Sequence, residues 1–169
     1  EGLQIVGTRL GAATHGIRLL ARALVRNCFV TEFSGNGIHV EATSDASNAN
    51  NFRVEGGRVA FCTGHGLYTN GADANAGYVV ALDSSHNGGV GIYDSSFLGN
   101  TYVACHTEHN EVCGYKADGS QANNVFVGCY DELSSISGAC QLYAPAYIVG
   151  GSLLNGNTGD AIKVLSTER

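Results

Sequence analysis

The stretch VRNCFVTEFSGNGIHVE, Val25 to Glu41, contains the plan of the whole chain. Val25 opens a short run in which apolar residues alternate with others, the period of a pleated strand. Ser34-Gly35-Asn36-Gly37 then interrupts it with residues that favour turns, and Ile38-His39-Val40 resumes the alternation. Strand, turn and strand thus follow one another with no room for a helix.

The same plan recurs seven times. Ile5, Val25, Val54, Val80, Val103, Val127 and Val149 open the copies, and each is followed 12 or 13 residues later by Ile17, Ile38, Leu67, Ile92, Tyr115, Cys140 or Ile162. A small residue precedes each second anchor: Gly16, Gly37, Gly66, Gly91, Gly114, Ala139 and Ala161. The six intervals between first and last opening anchors span 144 residues, a mean period of 24. A period of this length marks a solenoid, in which each copy buries its apolar face only by stacking on its neighbours. Gly16 to Arg26, rich in Leu, Ala and Arg, is the one segment with helical composition, but both its ends fall on repeat anchors. It reads as a turn between strands.

Equivalent strands stacked about 4.8 Å apart would pair in parallel, and seven coils would make a rod roughly 30 Å long. The gap from a second anchor to the next opening anchor ranges from 8 residues (Ile17 to Val25) to 16 (Ile38 to Val54). That variation argues against a tight hexapeptide solenoid and suits a right-handed parallel β-helix, whose loops bulge between sheets. The Val25 to Glu41 stretch, with the weaker copies VEGGRVAFCTGHGLYT, VGCYDELSSISGACQL and VGGSLLNGNTGDAIKV, resembles the coil of the pectin-lyase-like superfamily of right-handed β-helices. The expected architecture is all-β, a right-handed parallel β-helix of about seven coils, forming a single domain over residues 1–169. Neither end carries a polar cap, so the chain reads as a segment of a longer one.

Composition bounds the function. A net charge of −6 with only nine Lys and Arg argues against nucleic acid, which needs clustered cations. The sequence has no apolar run long enough for a transmembrane helix. The six cysteines lack C-x-x-C or zinc-finger spacing, and Cys105 and Cys129 fall at equivalent inward positions, where thiols act as small hydrophobes. No cofactor or metal is expected.

Three outward ladders carry the functional reading. Residues following the second anchors, Arg18, His39, Tyr68, Tyr93, Lys116, Gln141 and Lys163, should face solvent. Of these, His39, Tyr68, Tyr93 and Lys116 form a stripe suited to binding substrate, with tyrosine faces available to stack on sugar rings. Residues preceding the opening anchors should also face out. Val79, Tyr102, Phe126 and Ile148 would then make an apolar strip, flanked by Ala81, Ala104, Gly128 and Gly150, that meets another subunit. The third ladder is polar: Asp83, His106 and Tyr130 stack, as do Glu108 with Glu132 and His86 with His109, and Asp131 adjoins them. Paired carboxylates serve as acid and base on a glycosidic bond, and His or Tyr moves a proton in β-elimination, so Glu108, Glu132, Asp131, His86, His106 and His109 are the catalytic candidates. The same groups could instead pair with one another at a subunit contact.

The motifs of the wider superfamily are missing. Gly64-His65-Gly66 matches one element of polygalacturonase-like glycosidases without its companions, and His65 sits on the repeat's own turn, equivalent to His15 and Asn36. Asp94, predicted inward after Ile92, is read as the end of its strand. The long insertions Thr43 to Asn51 and Asn70 to Gly77 should line one side of the rod as the wall of a groove beside the tyrosine stripe. Resemblance to phage tailspike β-helices implies a trimer of rods, extracellular or virion-associated, that binds an extended polysaccharide and, in the enzymatic version, cleaves it as a glycosidase or lyase. The alternative is a non-catalytic structural or adhesive rod that self-associates.

Overall fold

The computed structural model describes residues 2–44, 47–119, 123–134, 140–142, 146–155, 160 and 162–164. It is a right-handed parallel β-solenoid built of three sheets. Sheet I contains β1 (Gln4–Val6), β4 (Phe29–Thr31), β7 (Arg58–Ala60), β10 (Asp83–Ser85), β13 (His106–Glu108), β16 (Tyr130–Glu132) and β19 (Ser152–Asn155). Sheet II contains β2 (Ile17–Leu19), β5 (Ile38–Ala42), β8 (Leu67–Gly71), β11 (Ile92–Ser96), β14 (Tyr115–Ala117), β17 (Cys140–Leu142) and β20 (Ile162–Val164). Sheet III contains β3 (Leu24–Arg26), β6 (Arg53–Glu55), β9 (Tyr78–Val80), β12 (Thr101–Val103), β15 (Asn124–Val127) and β18 (Ala146–Val149). Among the described residues there is no helix, and so none long and apolar enough to cross a membrane. Gly16 to Arg26 indeed holds two strands and a turn.

Sheet II follows the second-anchor ladder residue for residue: Ile17, Ile38, Leu67, Ile92, Tyr115, Cys140 and Ile162 are consecutive partners. The glycine before each anchor is there because the coils approach closely. A Cβ on Gly37 would sit 2.0 Å from Val59 Cγ1 and 3.0 Å from the Gly66 carbonyl oxygen. Ala139 and Ala161 lie outside the described residues.

Sheet III departs from the expected register. Its inward column is Val25, Val54, Val79, Tyr102, Phe126 and Ile148, so the expected outward apolar strip is interior. Val79 and Tyr102 are fully buried, Phe126 nearly so, and Ile148 packs against the core. Tyr102 and Phe126 stack at 5.0 Å. Runs such as Tyr78-Val79-Val80 are apolar on both faces, so alternation alone cannot choose between them. The corner does choose. Two residues after each true core position stands Asn27, Gly56, Ala81, Ala104, Gly128 or Gly150, all with φ between 49° and 64°. The small residues that seemed to flank an interface are therefore the left-handed corner into sheet I, and Ile5 belongs to sheet I, opposite Val30.

A second left-handed corner leaves sheet I at Glu32, Phe61, His86, His109 and Leu133, with φ from 50° to 64°. A non-glycine residue there costs about 1–2 kcal/mol. The ladder offsets this by keeping the corner amides paired: His86 N–H donates to the Glu108 carbonyl at 2.8 Å, and His109 N–H to that of Glu132 at 3.1 Å. Just beyond, buried side chains continue the ladder. Cys62 N–H donates to Asn87 Oδ1, Asn87 N–H to Asn110 Oδ1, and Asn110 N–H to Ser134 Oγ.

The inward column of sheet I changes character along the rod, from Ile5, Val30 and Val59 to Ser84, Thr107 and Asp131. Asp131 is thus a core residue, not a member of the outer acid–histidine row. Its Oδ1 accepts hydrogen bonds from Thr107 Oγ1 at 2.6 Å and Ser134 Oγ at 2.7 Å. Asp94 also faces inward, as expected, but its strand does not end there: β11 runs on to Ser96. The fully buried carboxylate accepts from Tyr102 Oη at 2.6 Å, Asn100 Nδ2 at 2.8 Å and the Ser96 amide at 2.8 Å. Burial nonetheless pushes its carboxyl above the ordinary range.

All six cysteines are buried and free. Burial pushes Cys113 up to about 12, which leaves an inert thiol at neutral pH.

Candidate functional site

The outer face of sheet II is a ribbon two columns wide. The first column is Arg18, His39, Tyr68, Tyr93 and Lys116 in consecutive coils, in the register expected from the repeat. Strands of five residues at β5, β8 and β11 extend the face to a second column, in which Glu41, Asn70 and Ser95 are partners; Asp118 follows β14 on the same side. The extra length was not legible from the anchors, which mark only where a strand starts.

Stacking of coils makes the rings stack on one another. His39 and Tyr68 lie face to face at 5.1 Å, Tyr68 and Tyr93 are 4.8 Å apart, and Lys116 Nζ sits 4.4 Å from the centre of the Tyr93 ring. These ring faces are therefore occupied, and what the ribbon turns outward is edges, hydroxyls and amides. Tyr93 Oη donates to Asp118 Oδ2 at 2.6 Å, and Lys116 Nζ lies 3.1 Å from the same oxygen. Arg18 and Glu41 pair at 2.6 Å at the other end. Burial, then the bond to Asp118, raises the Tyr93 phenol, so it stays protonated as a donor.

Behind the ribbon's edge runs a cap built from the residues before the glycine column. Asn36 N–H donates to His15 Nδ1, His65 N–H to Asn36 Oδ1, and Val90 N–H to His65 Nδ1. His65 thus has the structural place expected for it. Burial depresses His65 to about 4 and also lowers His15 and His39, so all three rings are neutral near pH 7. Their tautomers follow from the donors. His15, accepting at Nδ1, donates through Nε2 to His39 Nδ1 at 3.1 Å, and His39 Nε2–H donates to Asn70 Oδ1 at 3.0 Å. His39 is consequently a buried strut that orients Asn70, with little surface of its own for a ligand.

The acid and histidine group lies on sheet I, a different face from the ribbon. Asp83, His106 and Tyr130 are strand partners, and so are Glu108 and Glu132, as the repeat register predicts. His86 and His109 stack at 4.7 Å with 20° between the rings. His109 Nδ1 lies 2.9 Å from Glu108 Oε1, Tyr130 Oη donates to Glu132 Oε2, and His106 Nδ1 is 3.8 Å from Asp83 Oδ1. Two adjacent carboxylates, each held by a proton-bearing neighbour, can in principle exchange protons with a bound ligand. Asp131 points away from them into the core.

The inserted loops do form a wall, at the corner between sheets II and III. Ala49 N–H donates to the Asp73 carbonyl and Asn51 N–H to that of Asn75, while Asn50 Nδ2 reaches Asp73 Oδ1 at 3.0 Å. An open groove there is lined by Asn51, Asp73, Ala76, Phe97 and Leu98 among others. Phe97 and Leu98, both exposed, were missed in the sequence because they follow β11 outside any anchor spacing. Asp45 and Ala46 of the first insertion lie outside the described residues.

No known protein family, curated protein or solved structure matches the chain.

Proposed function

We propose that the rod binds an extended polysaccharide laid along the sheet II ribbon, as the resemblance to pectin-lyase-like and tailspike rods implies. The observation that carries this is the row of polar edges that advances one coil at a time, from Arg18 through His39–Glu41, Tyr68–Asn70 and Tyr93–Ser95 to Lys116–Asp118. Donors and acceptors at strand spacing of about 4.8 Å suit a chain of hydroxyl-bearing rings of similar rise better than a compact ligand. The tyrosines contribute hydroxyls and ring edges, not stacking faces. The groove by Phe97 and Asp73 adjoins the end of β11 and offers a continuation with one exposed aromatic ring. A glycan array followed by titration of the retained polymer tests this: Tyr93→Phe and Asn70→Ala should each weaken binding, and wild-type affinity in both variants would contradict it.

Cleavage is the second reading, favoured by Glu108 and Glu132 on adjacent strands with His109 and Tyr130 bound to them. Glu108→Gln and Glu132→Gln should then abolish release of new chain ends while leaving binding on sheet II intact. An enzyme indifferent to both changes would sink that reading.

The rod also self-associates on this reading, as parallel copies in a trimer, through the outer face of sheet III. From β9 onward that face presents Tyr78, Val80, Val103, Val125, Val127, Tyr147 and Val149, with Thr101 the polar exception and no charge. The apolar strip expected from the sequence therefore has a counterpart one residue along on the same sheet. Such a rod would work outside a cell or on a virion, where extended polysaccharides are met.

A further inference from the structure

We propose that His86, Glu108 and His109 form a binding site for one divalent transition-metal ion of the zinc type, bridging two coils at the corner between sheets I and II. One ring nitrogen from each histidine and one carboxylate oxygen of Glu108 lie within 4.8 Å of one another. The backbone sets this up. His86 and His109 occupy the left-handed corner position in successive coils, with φ of 57° and 50°, and Glu108 is the last residue of β13, directly before His109. Their rings consequently project side by side, and Glu108 already holds His109 at 2.9 Å.

The feature that singles out this pair is His86 Nδ1, which is shielded from solvent and has no hydrogen-bond partner. Phe61, the corner residue one coil below, packs its ring 5.0 Å from that of His86 and closes this side of the stack. A shielded imidazole nitrogen with no partner is stabilised by a cation in a way that an ordinary water-facing histidine is not. Donors around tetrahedral zinc stand about 2.0–2.1 Å from the ion and hence roughly 3.3 Å from each other. Side-chain rotations closing the trio by about 1.5 Å suffice to reach that spacing. Two imidazoles and one carboxylate favour Zn2+, Ni2+ or Cu2+ over Mg2+ or Ca2+. Binding replaces the contact between His109 Nδ1 and Glu108 Oε1, and Glu132, the strand partner of Glu108, adds negative charge beside the site. The ion would pin one coil to the next and keep a coordination position open to water. This site stands on a different sheet from the polysaccharide ribbon and does not depend on that reading.

Chelator-treated protein titrated calorimetrically with Zn2+ should bind one ion per chain, and its thermal midpoint should rise with Zn2+ but not with Mg2+. His86→Ala, His109→Ala and Glu108→Gln should each weaken binding at least tenfold, whereas His106→Ala, outside the trio, should leave it unchanged. Loss of stoichiometric binding in wild type, or binding that survives both His86→Ala and His109→Ala, overturns the proposal. Should either alanine variant fail to fold, imidazole NMR of the wild type decides: zinc must shift the ring signals of His86 and His109, and shifts spread over other histidines instead refute the site.

Discussion

Replacing Gly91 by alanine tests the close stacking of coils. The new Cβ would lie 2.6 Å from Asn110 Nδ2, 2.8 Å from the Gly114 carbonyl oxygen and 2.8 Å from Thr107 Cγ2. None of these can move freely. Asn110 Nδ2 donates to the Ser84 carbonyl at 2.9 Å, and the Gly114 oxygen is the acceptor for Ile92 N–H at 2.8 Å. Overpacking costs about 1–3 kcal/mol, and weakening one buried hydrogen bond adds about 0.5–1.5 kcal/mol. The expected loss is therefore about 3 kcal/mol, or a fall in melting temperature of roughly 6–12 °C for a chain of this size. Gly128→Ala is the control. Its φ is +59°, nothing lies within 4 Å of the added Cβ, and Ala81 and Ala104 already occupy the same corner in the coils below. The cost there should be about 1 kcal/mol. Urea unfolding of both variants against wild type measures the difference. A Gly91→Ala protein within 1 kcal/mol of wild type, or a Gly128→Ala protein equally damaged, would refute the close-approach argument.

Asp94 predicts a pH dependence. Burial raises its carboxyl in the folded state, so the native protein holds this proton at pH values where the unfolded chain has released it. The corresponding stability is complete below the ordinary aspartate range and is lost as pH rises through the raised value. Wild type should therefore lose stability relative to Asp94→Asn as pH increases, with a slope of at most about 1.4 kcal/mol per pH unit. Wild type that keeps or gains stability relative to Asp94→Asn as pH rises would be inconsistent with this. On sheet III the two faces should respond oppositely to the same change. Val103→Lys, on the outer face, should leave the circular dichroism spectrum intact and shift sedimentation to monomer, whereas Tyr102→Lys, one residue earlier, should unfold the chain. Folded Tyr102→Lys protein would mean that the register of sheet III is wrong.

Much of this molecule was legible because a solenoid repeats its errors as well as its truths. Sheet II could be read residue for residue, since a glycine forced by close approach stands before every described anchor from Gly16 to Gly114. Sheet I's outer rows, Asp83–His106–Tyr130 and Glu108–Glu132, followed from the same register. Sheet III could not be read from hydrophobicity, because Tyr78-Val79-Val80 is apolar on both faces. The deciding signal was the small residue at the left-handed corner, two positions after Val25, Val54, Val79, Tyr102, Phe126 and Ile148. Asp131, expected on the outer row, and Asp94, rightly expected inward but read as the end of its strand, share one cause. A buried carboxylate is expensive without partners, and its partners, Thr107 and Ser134 or Tyr102 and Asn100, become neighbours only when coils stack. The loss of tyrosine stacking faces has the same origin, since one aromatic per coil at strand spacing covers its neighbour.

The central functional claim concerns a ligand that runs along the ribbon, and its most direct measurement is affinity against ligand length. Four coils, from Arg18 through His39–Glu41 and Tyr68–Asn70 to Tyr93–Ser95, span about 15 Å, and the fifth at Lys116–Asp118 brings this to about 19 Å. Oligosaccharides cut from a polymer that the protein binds should therefore gain affinity with each added sugar up to roughly four or five units and then level off. Tyr93→Phe should lower the plateau. Affinity already maximal for a single sugar, or unchanged by Tyr93→Phe across the whole series, would contradict the account.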